Sequence, residues 1–429
     1  MARDLRFPLM DSLRGLAAMS IVLYHAVGYG SGLDGVAFFS PIFGRLEVGV
    51  PIFFVISGFL LYRPFVRARR AGDTRPRIGP YAWRRVLRII PGYWAALTIV
   101  GLALGFSYLF TVEGVLRYYG FAQMYTVDSL FRGIVPAWTL GIEIAFYAIL
   151  PVYAIAIGVA GRWTGRRWFM ATEIAGLAVL YVIAISWQIS AYPPGVTTRQ
   201  LWLPGQLDHF ALGMGLAVAS VHFQGGARMP RPLRLIERRP LIAWLAALGA
   251  LLTAAYGLGF TGLAFEAPAS LFSALALHQL YGIVALSMAL PAVFGAPTRG
   301  AVRRLLGHPA LLWLGMISYG VYLWHVPVLQ FAFEHEYGNF PGIHPYMEWI
   351  AVAVTGGVTF GALSWYLVER PFMRLRRLVP RERPQPRDPD FDAADAGLGS
   401  PTAASGMVSG DRPAHPPLGS PEGPRPAGS

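Results

Sequence analysis

The stretch LRGLAAMSIVLYHA, Leu13–Ala26, is an apolar run with an arginine near its start and a histidine near its end. Arg14 and His25 stand eleven residues apart. At about 3.6 residues per turn this is close to three turns, so both project from one helical face, about 16 Å apart along the axis. The apolar run extends over Leu9–Tyr29, about the length that crosses a bilayer as a helix. No clear small-residue cleavage site ends it and further apolar runs follow, so it reads as a retained membrane helix rather than a leader. Polar groups aligned inside such a helix are costly in lipid, and the protein interior is expected to use them.

Composition extends this reading to the whole chain. Of 429 residues, 55 % are hydrophobic and 14 % charged, whereas soluble domains carry about 25 % charged residues. Mean hydropathy is +0.46. The formal charge of +13 is distributed in short clusters between apolar runs, the pattern of cytoplasmic membrane loops rather than of a nucleic-acid surface. All 36 basic residues are arginine, a bias that fits high-GC coding. The absence of cysteine excludes disulfides, thiol nucleophiles and thiolate metal sites.

Ten candidate spans follow: Leu9–Tyr29, Val48–Phe65, Ile89–Leu109, Ala137–Val159, Ala171–Ile189, Leu203–Val221, Leu241–Phe260, Leu271–Phe294, Leu311–Phe333 and Met347–Leu367. Arginines collect on one side of this alternation, from Arg67–Arg88 through Arg228–Arg239 to Arg374–Arg377, while the other side holds Arg45, Arg117, Arg132 and Arg199. The positive-inside rule then places both termini in the cytoplasm. The expectation is an all-α integral membrane protein of about ten helices over residues 1–379. Residues 380–429, rich in Pro, Gly, Ser and Asp, are expected to be a disordered cytoplasmic tail. No internal repeat and no second folded domain is read in the chain.

Five segments carry candidate chemistry. In the first, Arg14 either snorkels to the interface with help from Asp11 or serves a ligand. His25 is either a hydrogen-bonded core histidine or a general base. PAWTLGIEIAFY, Pro136–Tyr147, embeds Glu143 in an apolar span; it either braces another helix or supports an imidazole. YAWRRVLRIIPGYW, Tyr81–Trp94, gathers Arg84, Arg85 and Arg88, which set topology or bind phosphates. GVPIFFVISGFLL, Gly49–Leu61, contains Ser57-Gly58, a close-packing signal first and a pocket wall second. ISYGVYLWHVPV, Ile317–Val328, puts Ser318, Tyr322 and His325 on one helix face; they line a pocket or bond neighbouring helices. Asp208 is a further candidate, and Glu369-Arg370 reads most simply as an ion pair at a helix end.

These segments, in this order, resemble the membrane-bound acyltransferase family 3, which includes bacterial polysaccharide O-acetylases and antibiotic-sugar acyltransferases. The resemblance spans residues 8–377 and rests on Arg14 and His25, on Phe53, Phe54, Ser57, Gly58 and Phe59, and on Arg84, Arg85, Arg88, Pro91, Tyr93 and Trp94. It includes Trp138, Glu143, Phe146 and Tyr147, and ends with Ser318, Tyr319, Tyr322 and His325. It implies acyl-CoA as co-substrate, no bound cofactor or metal, a sugar or glycoside hydroxyl as acceptor, and a cell membrane as location, in particular a bacterial plasma membrane. The expected mechanism has acyl-CoA phosphates on Arg84, Arg85 and Arg88, Arg14 at the mouth, and His25 as general base supported by Glu143. Ser57, Trp138, Asp208, Ser318, Tyr322 and His325 are expected to line the pocket, with Tyr322 or Trp138 available to an oxyanion. The competing class is a transporter or flippase, which uses intramembrane charge without releasing CoA.

Overall fold

The computed structural model describes residues 7–29, 40–72, 78–193, 198–224, 227–258, 268–337 and 343–378. The expected tail, and both chain ends that the topology concerns, lie outside the described residues. Every regular element among the described residues is helical. The main helices are α1 (Pro8–Tyr29), α2 (Gly49–Arg70), α3 (Ile78–Ala103), α4 (Trp138–Thr164), α5 (Phe169–Ser190) and α6 (Leu207–Gln224). They continue with α7 (Arg231–Arg238), α8 (Leu241–Tyr256), α9 (Leu271–Val293), α10 (Ala301–Leu306), α11 (Pro309–Glu334) and α12 (Pro345–Ser364).

Each of the ten apolar runs falls on one of these helices. Among the described residues, seven helical stretches are long and apolar enough to cross a membrane, or eight if α7 and α8, bent by 101° at their junction, count as one span. The chain is therefore a multi-pass membrane protein. At 22 residues α1 is long enough, but Arg14 and His25 dilute its apolar character, whereas α8 is short at 16 residues. α3 starts at Ile78, well before the apolar run at Ile89, so Arg84, Arg85 and Arg88 ride on its first turns.

Glycines set the helix contacts. α1 packs on α11, α12 and α2, α11 packs along α12, and α2 packs along α6 and on α9. A side chain on Gly315 would strike the Asp11 carbonyl, one on Gly213 the Val55 carbonyl, and one on Gly320 would meet Gly361 Cα at 2.8 Å. Small residues thus let backbones approach within the range that membrane helices use for packing. Gly58, whose added Cβ would strike the Phe210 carbonyl, has the close-packing role read from Ser57-Gly58.

α1 and α11 lie in matched register. Gly15 meets Gly315, and ten residues further along each helix His25 meets His325. At about 1.5 Å per residue the two contacts are roughly 15 Å apart on both helices.

Two local features position polar groups. After α12 the chain makes a π turn over Trp365–Glu369, a widened turn that re-aims side chains and recurs at functional sites. It puts Glu369 inside, 1 % exposed. The expected Glu369–Arg370 ion pair does not form: Ser364 Oγ donates to Glu369 Oε1 at 3.2 Å, and Arg370 lies over the Tyr366 ring. Adjacent helices, both facing the same end of the bundle, are tied by fully buried Arg303 on α10. Its guanidinium donates to the carbonyls of Pro291, Phe294, Ile236, Glu237 and Arg299. It thereby caps the C-terminal ends of α7 and α9, where helix carbonyls lack intrahelical partners.

Candidate functional site

His25 sits in the fifth turn of α1 and its ring faces α11. Nδ1 lies 3.0 Å from the Ile21 carbonyl, which can only accept, so Nδ1 carries the proton. His325 repeats the arrangement, with Nδ1 3.1 Å from the Val321 carbonyl. His325 Nε2 then bears a lone pair and accepts from His25 Nδ1–H at 3.2 Å. The consequence is a fixed tautomer: His25 Nε2 is left with a lone pair and with no hydrogen bond to another described residue. The Tyr24 ring packs edge-on against His25 at 5.1 Å.

Tyr322, one turn before His325, is fixed just as firmly. Its hydroxyl is 2.7 Å from Thr139 Oγ1 and donates to the Pro136 carbonyl at 2.8 Å. The stripe on α11 therefore divides. Tyr322 and His325 bond neighbouring helices, while Ser318, fully buried, donates back to the Gly315 carbonyl at 2.8 Å. Ser318 thus belongs to helix packing and not to the pocket wall.

Glu143 stands on the first turns of α4, and both its oxygens are engaged. Ser57 Oγ donates to Oε1 at 2.9 Å and Tyr147 OH to Oε2 at 2.9 Å. The expected contact between Glu143 and His25 is replaced by the His25–His325 pair. Glu143 instead shares a small cavity with Arg14, Phe53, Tyr319 and Tyr322, about 30 Å³ in volume. That is room for about one water, so a larger ligand requires its walls to part.

Arg14 turns into this cavity; exposed Asp11 forms no ion pair with it among the described residues. Arg14 Nε and Arg85 Nε are buried without a hydrogen-bond partner. Arg85 lies over the Tyr147 ring at 5.8 Å, and Arg88 over Trp365 at 5.7 Å. Arg88 is within electrostatic reach of Arg14, Glu369 and Arg85. The structure thus gathers Arg14, Arg85 and Arg88 around Glu143 and Glu369, with Arg84 exposed at the rim. Three guanidiniums, two of them with a buried Nε–H that has no hydrogen-bond partner, form a pocket suited to an anion.

Asp208 belongs to a separate cluster at the N-terminal ends of α6 and α9. His278 Nε2 lies 2.8 Å from Asp208 Oδ2, Gln279 Nε2 donates to the same oxygen at 3.1 Å, and the His209 amide donates to Oδ1 at 2.9 Å. Asp208, His209 and His278 offer ligand atoms within 4.8 Å of one another, a spacing open to a cation. The two His209 nitrogens, however, already face Gln206 Oε1 at 3.3 Å and the His278 carbonyl at 3.2 Å. Trp138 and His278 line a cavity of about 220 Å³ at this end of the bundle, together with Glu47. Sequence reading passed over Glu47 and His278. His278 carries the same signal as His25, an imidazole within an apolar run.

The chain matches the family model described as an acyltransferase domain over residues 8–369. It is 27 % identical to Nodulation protein 10 of Rhizobium leguminosarum bv. viciae over 394 residues, covering 87 % of this chain and 95 % of that protein. A shorter segment of 73 residues is 32 % identical to the Staphylococcus aureus (strain COL) protein named "Putative O-acetyltransferase SACOL0978", covering 17 % of this chain and 11 % of that protein. The same figures hold for its namesake SAS0844 from strain MSSA476. No solved structure matches the chain. The family match takes in the paired histidines, the arginine cluster and Glu143 together, and the chain belongs to acyltransferase family 3.

Proposed function

We propose that the protein is an integral membrane O-acyltransferase that moves an acyl group from acyl-CoA to a hydroxyl of a carbohydrate or glycoside, in a bacterial plasma membrane with both termini cytoplasmic. The observation that carries this reading is the fixed tautomer of His25, which leaves Nε2 as a base on the helix whose other end brings Arg14 to the arginine cluster. The phosphates of the donor rest on Arg84, Arg85 and Arg88, with Arg14 supplying a further guanidinium. The pantetheine arm runs up the polar face of α1, a path of about three turns, once the walls of the Arg14–Glu143 cavity part.

At the thioester, His25 Nε2 takes the proton of the acceptor hydroxyl as its oxygen attacks the carbonyl carbon. The C–S bond then breaks, and the imidazolium returns the proton to the departing thiolate, so that ester and CoA leave in balance. His325 Nε2 holds His25 Nδ1–H throughout and keeps the ring oriented. Glu143 acts at the donor end, where it offsets the guanidiniums and fixes Ser57 and Tyr147. The Trp138 indole N–H is the available donor to the oxyanion, because the Tyr322 hydroxyl proton is committed to the Pro136 carbonyl.

The test is thiol release from acetyl-CoA and longer acyl-CoAs by the purified protein in nanodiscs. His25→Ala should lower it by about 10²–10⁴-fold while the variant melts like wild type. Release that is unaffected by His25→Ala refutes the assignment. A well-folded protein that neither binds nor turns over any donor, with a panel of acceptors present, favours the transporter reading. Donor binding has its own readout, since a ligand at about 100 times its Kd stabilises the native state by about 2.7 kcal/mol. That shift should shrink in Arg85→Gln and Arg88→Gln.

A further inference from the structure

The cavity between the starts of α2, α4, α6 and α9 lies at the opposite end of the bundle from Arg84 and Arg85. Its volume is about 220 Å³, the scale of a single sugar ring, and several times that of the Arg14–Glu143 cavity. On its lining, Gln200 Oε1 is buried without a hydrogen-bond partner, while His278 Nε2 rests on Asp208 Oδ2 at 2.8 Å. Buried polar atoms are almost always satisfied, so the orphan oxygen on this cavity points to a ligand that satisfies it.

Other lining groups narrow its chemistry. Glu47 accepts from Tyr281 OH at 2.8 Å and keeps 37 % of its side-chain surface accessible. Trp138 and Tyr192 add aromatic faces. Among the described residues no arginine lines the cavity to hold an anionic ligand, and Arg45 nearby is paired with Glu47 at 3.9 Å; a lipid tail has no use for Gln200 Oε1 or the His278 ring. A neutral polyhydroxylated ring meets every requirement: hydroxyls that donate to Glu47 and Gln200 Oε1, hydroxyls that engage His278, and a C–H face for the indole.

The cavity also adjoins the histidine pair. Val50 lines both cavities, Trp138 precedes the Thr139 that bonds Tyr322, and Glu47 hydrogen-bonds Tyr24, whose ring packs on His25. We infer that this cavity is the acceptor subsite, holding one uncharged sugar ring through Glu47, Gln200 and His278 with Trp138 against its face. This rests on the acyltransfer reading for its role, though not for its ability to bind.

The probes are methyl and octyl glycosides of glucose, galactose, rhamnose and N-acetylglucosamine, titrated against the protein in nanodiscs by saturation-transfer difference NMR. At least one should bind saturably. Gln200→Met, which removes the orphan oxygen at similar size, should weaken binding at least tenfold. Ala274→Trp, which places an indole in the cavity from its α9 wall, should abolish binding while acyl-CoA still raises the melting temperature as it does for wild type. Absence of binding by the whole panel overturns the inference. So does binding that survives Ala274→Trp, or that octanol displaces as well as octyl glycosides do. If Ala274→Trp unfolds the protein, Gln200→Met alone decides. If wild type binds a glycoside but releases no thiol from any acyl-CoA, the acyltransfer reading fails while the sugar subsite stands.

Discussion

The two imidazoles differ in what each can do, and the difference comes from backbone carbonyls. His25 and His325 both donate Nδ1–H to the carbonyl four residues earlier, but only His325 uses its second nitrogen on its neighbour. His325→Phe should therefore keep the bulk of the ring and lose an orientation. The expected outcome is a drop of about tenfold in kcat for thiol release with little change in KM, because positioning errors act on the reacting geometry. A rise in KM at constant kcat would assign His325 to substrate binding instead. Tyr322→Phe gives up hydrogen bonds to Thr139 and Pro136 and should cost about 1 kcal/mol in a melt in detergent, a modest loss because Thr139 Oγ1 still donates to the Pro136 carbonyl at 3.1 Å. The sequence made Arg14, His25, Glu143 and His325 visible one by one, since each is a polar group in an apolar run. Which of them touch was not visible: helical period relates residues on one helix and carries no information across 300 positions of chain. Hence Glu143 was matched to His25 on chemistry alone, and the observed partner came from another helix.

Elements were the most legible level. The apolar runs marked helices, seven or eight of them among the described residues long and apolar enough to cross a membrane, because a bilayer leaves the backbone little choice but to bond within its own segment. Their ends were less legible: the arginine-rich start of α3 is polar, and the π turn at Trp365–Glu369 has no signature in hydropathy. Interhelical distance is fixed by glycines, and this gives a prediction at the same level. A side chain on Gly315 meets the Asp11 backbone, which can yield only by parting α1 from α11. Gly315→Val should lower stability by about 1–3 kcal/mol, the usual range for overpacking. Thiol release should fall further than the loss of folded protein explains, because the 3.2 Å contact between His25 and His325 depends on the same helix pair. Equal losses in folded fraction and activity would separate the glycine contact from the histidine pair.

At the scale of the molecule, polar groups are divided between two ends. Arginines gather where α2 ends and α3 begins, and Glu47, His209 and His278 where α2, α6 and α9 begin. Arg303 locks the arginine-rich end through five carbonyls of three segments. Arg303→Met leaves those buried acceptors unpaired and should cost about 3 kcal/mol or more, read as loss of yield and a lower melting temperature. A variant that melts like wild type would mean that water or other donors replace the guanidinium. The register of α1 against α11 carries a consequence for biosynthesis. The partner of His25 is synthesised 300 residues later, which at 5–20 residues per second takes about 15–60 s. For that interval α1 holds Arg14 and His25 in or near the membrane without the helix that covers them. A helix made early is completed by one made much later, so a ribosome halted anywhere before α11 leaves the reactive pair unassembled, however many helices have already been inserted.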